Sequence, residues 1–427
     1  MDPSRRFEPS GRAGEPEGQS PEYSTLFVVW PEAEAPLQEE VRLALFAAYG
    51  SLDVIEELDA GDDLLWGVTW RVPADGDRPE TDYLVWAEPR GDLGDDFLRQ
   101  ALGAGAEYEA AKASRWLIGV ETRLNLRCPQ ASFQQQLQFS REVAVPGLVA
   151  VYDDNAVVVR SGHEIHDLCA CDVPPRASTL YAIHVVEGTG GLWLHTHGLL
   201  RTGLPDLDLL GIPTQLADDA HELLNAIVDA LLAGIEPDPS GRLDLGEGLG
   251  LRLLPLGDAV GLFPPDIAGG SNDRSGPMAD HGGDRLIVLD ARRDLAPLDT
   301  LFQVGAEGTL YKSRGETERQ RSLSVSRWGT FGQLFAMNRQ GTEWSFHVKL
   351  AYDQQAAGTR EHLWFEVLGL RPGRVHGRLM NRPVDVPGLR AGQELWQPLE
   401  RLTDWLIVTP HGNFDPEVAP ALLQEPL

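Results

Sequence analysis

Three histidines in one short segment have the types and the spacing that a metal site requires. The segment TLYAIHVVEGTGGLWLHTHGLL, residues 179–200, has the pattern of two β-strands joined by a tight turn at GTGG. In that register His184 lies opposite His195, and His197 is two residues further along the second strand. Opposed residues of an antiparallel pair, and residues two apart on one strand, share a face of the sheet. The sequence therefore predicts that the three side chains project to one side, with Cβ atoms within about 5–8 Å.

Three imidazoles placed in this way can bind Zn²⁺ or Fe²⁺ and leave one coordination position open. An open position is typical of catalytic metal sites, because the metal lets a bound water lose a proton near neutral pH. The alternative is a structural role, in which the histidines only hydrogen-bond to the backbone or to a carboxylate. The metal hypothesis depends on the register, since a shift of one residue would turn His184 to the other face.

Two carboxylates and one guanidinium near these histidines are the candidate catalytic residues. Asp206 and Asp208 are two residues apart, so on a strand both would point the same way, as metal ligands, as groups that orient the ligands or as a general base. Arg201 could bind a carboxylate or phosphate of a ligand. We favour the alternatives, in which the two aspartates lie on a solvated strand face and Arg201 pairs with Asp206 or Asp208.

A second group of metal-capable side chains lies in HEIHDLCAC, residues 163–171, which contains His163, His166, Cys169 and Cys171. Zinc-binding cysteine pairs are usually separated by two to four residues, and here one residue separates them. The alternative is that these cysteines are small apolar residues of a core. The motifs of nucleotide-binding loops and of the serine nucleophile elbow are absent from the sequence.

The charge of the chain restricts its partners. Lys and Arg number 36 against 65 Asp and Glu, which gives a formal net charge of −29. Such a charge repels phosphate backbones and anionic lipids, so we expect no nucleic-acid partner and no membrane partner. We interpret the basic clusters at 314–327 and 371–382 as solvated faces. A basic protein is the partner that the charge favours.

The compartment is expected to be the cytoplasm. The chain has three cysteines in 427 residues, which argues against a disulfide framework. The first residues lack the apolar core of a signal peptide, and no run approaches the roughly 18 apolar residues of a membrane helix.

The pattern of elements predicts an α+β protein of several units. We expect a disordered tail at 1–22, an N-terminal α+β domain at 23–146, a central α+β domain at 147–296 and a β-rich module at 297–427. The central domain is expected to contain two hairpins, a mixed sheet, one long helix and a loop at 264–284. The first of those hairpins is LVAVYDDNAVVVR, and the last module has the strand spacing of a small barrel or roll.

The C-terminal stretch resembles the YegJ-like domain, a bacterial family of unknown function. The segments that carry the resemblance are FHVKLAY at 346–352, EHLWFEV at 361–367, GRLMNRP at 377–383, AGQELW at 391–396 and TDW at 403–405. The stretch LWLHTHGLLRTGLPDLDLL at 192–210 resembles a second uncharacterised bacterial family that is often joined to the same module. These resemblances imply the domain layout and a bacterial cytosolic home, and they carry no reaction.

Two functions remain open at this stage. The first is a non-enzymatic protein-binding or accessory protein without a cofactor, and the absence of a specific catalytic motif favours it. The alternative is a metal-dependent enzyme, hydrolase-like, that binds Zn²⁺ or Fe²⁺ at His184, His195 and His197. We favour the first, because the three-histidine site depends on one assumed register.

Overall fold

The computed structural model describes most of the chain between residues 21 and 423. The ranges left out of the description inside these limits are 60, 62–63, 77, 92, 246–249, 275–283, 292–295, 299–300, 302–313, 339–342 and 354–359. Of the predicted disordered tail at 1–22, residues 1–20 lie outside the described residues. Of the predicted loop at 264–284, residues 275–283 lie outside them as well.

The described residues form three sheets with helices packed on them, which confirms the α+β class. The first sheet has seven strands, namely β1 (Ser24–Trp30), β2 (Asp53–Leu58), β3 (Trp66–Val72), β4 (Thr81–Pro89), β5 (Trp116–Thr122), β6 (Ala150–Asp153) and β7 (Val158–Ser161). Their order is β2-β3-β4-β5-β1-β6-β7, and every neighbouring pair is antiparallel. The helices of this part are α1 (Gln38–Tyr49), α2 (Asp95–Leu102), α3 (Ala106–Ala113), α4 (Pro129–Val143) and α5 (Gly162–Leu168).

The hairpin of β6 and β7 belongs to the first sheet. We placed it in the central domain at 147–296; in the structure β6 pairs with β1, with Leu26 opposite Asp153 and Val28 opposite Val151. Local patterning identified the hairpin correctly and could not identify its partner strand, because the partner lies more than 100 residues earlier in the chain. The change of sheet therefore comes after Ser161.

The second sheet contains the candidate site. Its strands are β8 (Ala182–Gly188), β9 (Gly191–His197), β10 (Asp206–Ile212), β11 (Arg242–Asp244), β12 (Gly250–Pro255) and β13 (Arg285–Asp290), in the order β11-β12-β13-β10-β9-β8. Strands β10 and β13 are parallel, and the other neighbours are antiparallel. The long predicted helix is α6 (Ala217–Leu232), which contacts β9 and β10. A short helix, α7 (Leu256–Ala259), follows β12.

The first and second sheets share one hydrophobic core. Trp70 and Phe133 from the first part lie in the same buried cluster as Leu194 and Leu207 from the second sheet and Leu223 from α6. The apolar stripe of α6 therefore covers one face of the second sheet, and the histidines lie on the strands of that sheet.

The C-terminal part is an open sheet with helices on one face. Its strands are β14 (Ser345–Asp353), β15 (Arg360–Arg371), β16 (Arg374–Leu379), β17 (Glu394–Pro398), β18 (Leu402–Thr409) and β19 (Gly412–Phe414), in the order β17-β16-β15-β14-β18-β19. Helices α8 (Arg314–Ser326) and α9 (Trp328–Met337) precede it.

The predicted barrel or roll is wrong in one respect, because none of the sheets in the described residues closes into a barrel. Strands β17 and β19 are edges. Helix α9 covers the inner face instead: Phe331 packs against Phe346 and Trp405 in a separate core. In the described residues, no helix has both the length and the apolar character to cross a membrane.

Candidate metal centre

The hairpin of β8 and β9 has the predicted register. His184 is paired with His195, and Ala182 is paired with His197, across an antiparallel turn that closes with Gly188 opposite Gly191. The ring centroids are 5.6 Å apart for His184 and His195, 4.8 Å for His184 and His197, and 5.0 Å for His195 and His197. The ligand nitrogen atoms of the three rings all lie within 4.8 Å of one another. The prediction that the three side chains share one face is confirmed.

The three histidines differ in their exposure to solvent. His195 is buried, with 1% of its surface exposed, whereas His184 and His197 are half-buried. A buried imidazole loses hydration that its neighbours must replace, so its environment is built into the fold. The cluster therefore has one fixed inner member and two members at its rim.

His195 is held by the indole of Trp193. Trp193 is fully buried, and its ring stacks on the imidazole of His195 with centroids 4.1 Å apart and an interplanar angle of 25°. The indole Nε1 donates a hydrogen bond to Asp208 Oδ1 at 2.8 Å. Asp208 lies opposite His195 in the pairing of β9 with β10, so all three side chains belong to one face.

Asp208 is fully engaged by cationic and indole donors. Arg285 Nε donates to Asp208 Oδ2 at 3.0 Å, and its Nη2 donates to the Thr196 carbonyl at 2.8 Å. Arg274 Nη2 lies 3.2 Å from Asp208 Oδ2, and its guanidinium lies 5.0 Å from the centroid of the Trp193 ring. Of the roles that we considered for Asp208, the structure favours orientation of the histidine face by way of Trp193.

Asp206 is buried as well, so the predicted solvated strand face is wrong. Only 3% of Asp206 is exposed, and none of Asp208. Asp206 Oδ1 accepts hydrogen bonds from Thr196 Oγ1 at 2.8 Å and from the Leu199 backbone at 3.3 Å, and Arg285 Nη1 lies 3.8 Å from Oδ2. Burial raises the pKa of the Asp206 carboxyl to about 6, against the opposing effect of Arg285. The alternation of Asp with Leu suggested a solvated side, but both sides of β10 are covered.

Arg201 pairs with Asp153, and the expected pairing with Asp206 or Asp208 is wrong. Its Nη1 and Nη2 each lie 2.9 Å from a carboxylate oxygen of Asp153, and neither side chain is exposed. Arg201 lies in the 3₁₀ turn Leu199–Thr202 after β9, which turns its side chain away from β10 toward β6. The guanidinium is therefore part of the contact between two sheets. Sequence reasoning gave no role to Asp153.

The segment 163–171 forms a helix end and does not assemble a second metal site. His163 Nε2 lies 3.6 Å from Asp167 Oδ2, one turn further along α5. Burial raises the pKa of the Cys169 thiol to about 11, which disfavours the thiolate that zinc requires. In the described part of the chain, the only group of three or more histidine, cysteine or acidic side chains placed to hold a metal ion is His184, His195 and His197.

His184 also contacts a backbone carbonyl, and nothing in the sequence pointed to this contact. The carbonyl oxygen of Ala156 lies 3.2 Å from His184 Nε2. Ala156 belongs to the turn between β6 and β7, so the first sheet contributes to the surroundings of the histidine cluster.

The three imidazoles fit a transition-metal ion with a small movement. Zinc–nitrogen bonds of about 2.0–2.1 Å in a tetrahedron put the nitrogen atoms roughly 3.4 Å apart. The nitrogen atoms here lie within 4.8 Å of one another, which exceeds the tetrahedral spacing by about 1.4 Å at most. Three neutral imidazoles leave the full charge of a divalent ion, and a tetrahedral ion would keep one position for water or another ligand.

Two families of unknown function match this chain. Residues 183–289 match the family described as "Protein of unknown function (DUF4026) C-terminal", and residues 337–414 match the family described as "Uncharacterized protein conserved in bacteria (DUF2314)". The first match contains the three histidines and both aspartates, and the second covers every strand of the third sheet. The expectation of two uncharacterised domains at these places is confirmed, and the second family is one conserved in bacteria; neither family description carries the YegJ-like name. No curated protein and no solved structure matches the chain.

Proposed function

We propose that this chain binds one divalent transition-metal ion, Zn²⁺ in the first place, through His184, His195 and His197. The observation that carries the proposal is the set of three imidazole nitrogen atoms within 4.8 Å of one another on one face of a hairpin. The non-enzymatic function was favoured above because the cluster depended on an assumed register. Because the structure has that register, we now favour metal binding as the function.

The surroundings of His195 support the proposal. Metal-binding histidines are commonly oriented by a second layer of partners, and loss of that layer weakens binding. Here Trp193 stacks on His195, Asp208 accepts from Trp193, and Arg285 binds Asp208. Each of these groups is buried. The ring of His195 is therefore restrained before any metal arrives, which lowers the entropic cost of binding.

Hydrolysis is the use of a metal that three histidine ligands support best. A Zn²⁺ ion held by His184, His195 and His197 would leave room for a water ligand, and the chemistry that it would supply is activation of that water as a nucleophile near neutral pH. His184 and His197, which are half-buried, form the side of the cluster from which a substrate could approach. A metal-dependent, hydrolase-like enzyme is thus the first candidate for the activity of this site.

An accessory role with a basic protein partner is the second candidate. The formal net charge is −29, and the edge strand β2 of the first sheet presents Asp53, Glu56 and Glu57, all exposed. An acidic edge strand is a surface that a basic segment can approach and pair with. Such a partner should associate more slowly as the salt concentration rises.

Isothermal titration of the metal-free protein with Zn²⁺ tests the metal proposal. We expect one ion per chain, and binding at least about 10–100 times weaker in His184→Ala, His195→Ala and His197→Ala. His221→Ala is the matched control, because His221 is an exposed histidine on α6. Absence of binding, or equal binding by the wild type and His195→Ala, would overturn the proposal.

Turnover measurements separate the two candidate uses of the metal. Zinc-loaded and metal-free protein are assayed with a panel of chromogenic carboxylic and phosphoric esters. Hydrolysis that requires zinc and is lost in His197→Ala supports the enzyme. Tight zinc binding without hydrolysis of any ester in the panel counts against the enzyme and favours the accessory role.

A further inference from the structure

The contact between Ala156 and His184 determines which nitrogen of His184 is available to a metal. A carbonyl oxygen only accepts hydrogen bonds, so His184 Nε2, at 3.2 Å from the Ala156 oxygen, carries the proton. The lone pair of a neutral imidazole is then on Nδ1. Fixing the tautomer through the second nitrogen is the usual way in which a protein orients a metal-binding histidine.

The turn that presents the Ala156 carbonyl is held by the buried ion pair. Asp153 Oδ1 accepts a hydrogen bond from the Ala156 backbone at 3.1 Å, and the same carboxylate is bound by both terminal nitrogens of Arg201. Arg201 also donates to the Leu180 carbonyl, just before β8. A continuous set of hydrogen bonds thus runs from Arg201 through Asp153 and Ala156 to His184.

The same turn is fixed from its other side. The side chain of Asn155 accepts from the Thr25 backbone at 2.8 Å and donates to the Tyr23 carbonyl at 2.9 Å. Val157, which follows Ala156, has a φ of 54°, a left-handed conformation that a β-branched residue rarely adopts. Backbone strain of this kind persists only where surrounding contacts determine the conformation. The position of the Ala156 carbonyl is therefore set by the fold.

We propose that Asp153 and Arg201 are positioning residues of the metal site, which act through the Ala156 carbonyl to make His184 an Nδ1 ligand. The inference rests on the proposed metal function and adds that the first sheet completes the site in the second. Neither residue touches the metal. Their effect is to hold one ring in one tautomer and one orientation.

Nitrogen-15 spectra of selectively labelled histidines and zinc titrations test the proposal on the full chain. We expect His184 of the metal-free wild type to be protonated on Nε2. In Asp153→Asn, the Nε2 preference should weaken and zinc affinity should fall by about tenfold or more. The matched control is Asp218→Asn, the same substitution at an exposed position on α6, which should change neither quantity.

A second variant replaces Asp153→Asn in the test if that variant does not fold. Asn155→Ala removes the other side chain that holds the turn, at a half-buried position, and should likewise weaken the preference of His184 for the Nε2 proton. Two results would overturn the inference: a wild-type His184 protonated on Nδ1, or wild-type tautomer and affinity in the variants that fold. If the wild type shows the Nε2 proton and binds no zinc, the metal function fails while the positioning of His184 stands.

Discussion

Arg201 and Asp153 form a bidentate ion pair that joins the turn after β9 in the second sheet to the end of β6 in the first sheet. Both side chains are fully buried, and the guanidinium also lies 4.4 Å from the centroid of the Phe133 ring. The two residues are 48 positions apart in the sequence. The pair links the packing of two sheets to the surroundings of the histidine cluster.

Removal of one partner should be strongly destabilising. Arg201→Met keeps much of the side-chain volume and leaves the Asp153 carboxylate buried without its cation, which costs about 3–5 kcal/mol in unfolding free energy. Urea denaturation followed by circular dichroism measures the loss. Arg42→Ala breaks the exposed pair with Glu39 and should leave stability unchanged. Equal stability of the two variants would show that the buried pair contributes little.

The buried carboxyl of Asp206 should make stability depend on pH. Its pKa in the folded protein is about 6, above the ordinary value of 3.8, because burial penalises the charged form. The folded state therefore holds the proton more tightly, so this contribution is fully present below pH 4 and is lost as pH rises through 6. The loss is about 3 kcal/mol.

Comparison with Asp206→Asn isolates this contribution from other titrating groups. The amide side chain can still accept from Thr196 and does not ionise. Urea denaturation at several pH values gives the unfolding free energies of the wild type and the variant. As pH rises from 4 to 6, the unfolding free energy of the wild type should fall relative to that of the variant. A constant difference across that range would contradict the assignment.

Gly269 is required where the loop after α7 covers Trp193. Its φ is 76°, and a Cβ atom there would lie 2.5 Å from the indole ring. Gly269→Ala should therefore lower stability by about 1–3 kcal/mol. Gly257→Ala is the control, because a Cβ at position 257 meets nothing within 4 Å. Thermal unfolding compares the two, and equal midpoints would show that the loop yields without cost.

The C-terminal sheet should fold by itself only with its helices. Phe331 of α9 packs on Trp405, and Trp405 Nε1 donates to the Ser324 carbonyl of α8 at 3.0 Å. A fragment of residues 314–423 should melt cooperatively in circular dichroism. A fragment of residues 341–409 lacks these helices and should melt without a sharp transition. A sharp transition in the shorter fragment would mean that the helices are dispensable.

The sequence was sufficient for features that depend on local periodicity. The register of the β8–β9 hairpin follows from a tight turn and a side-chain period of two, so the shared face of His184 and His195 could be predicted. The long helix α6 and its apolar stripe follow from helical spacing in the same way.

Features that depend on distant partners could not be predicted. Arg285, which neutralises Asp208, lies 77 residues further along the chain, so the aspartates were interpreted as solvated. The partner of Arg201 lies in another sheet, and β6 pairs with a strand more than 100 residues away. A single sequence gives no measure of such pairings, because the hydrophobic pattern of a strand is satisfied by many partners.

X-ray absorption at the metal edge of the zinc-loaded protein identifies the ligands of the metal. We expect a first shell of three imidazole nitrogen atoms and one further light atom at about 2.0–2.1 Å. His184→Ala should remove one imidazole from that shell. A shell with sulfur at about 2.3 Å, as Cys169 and Cys171 would give, or a shell of oxygen atoms without imidazole, would show that the three histidines do not bind the metal.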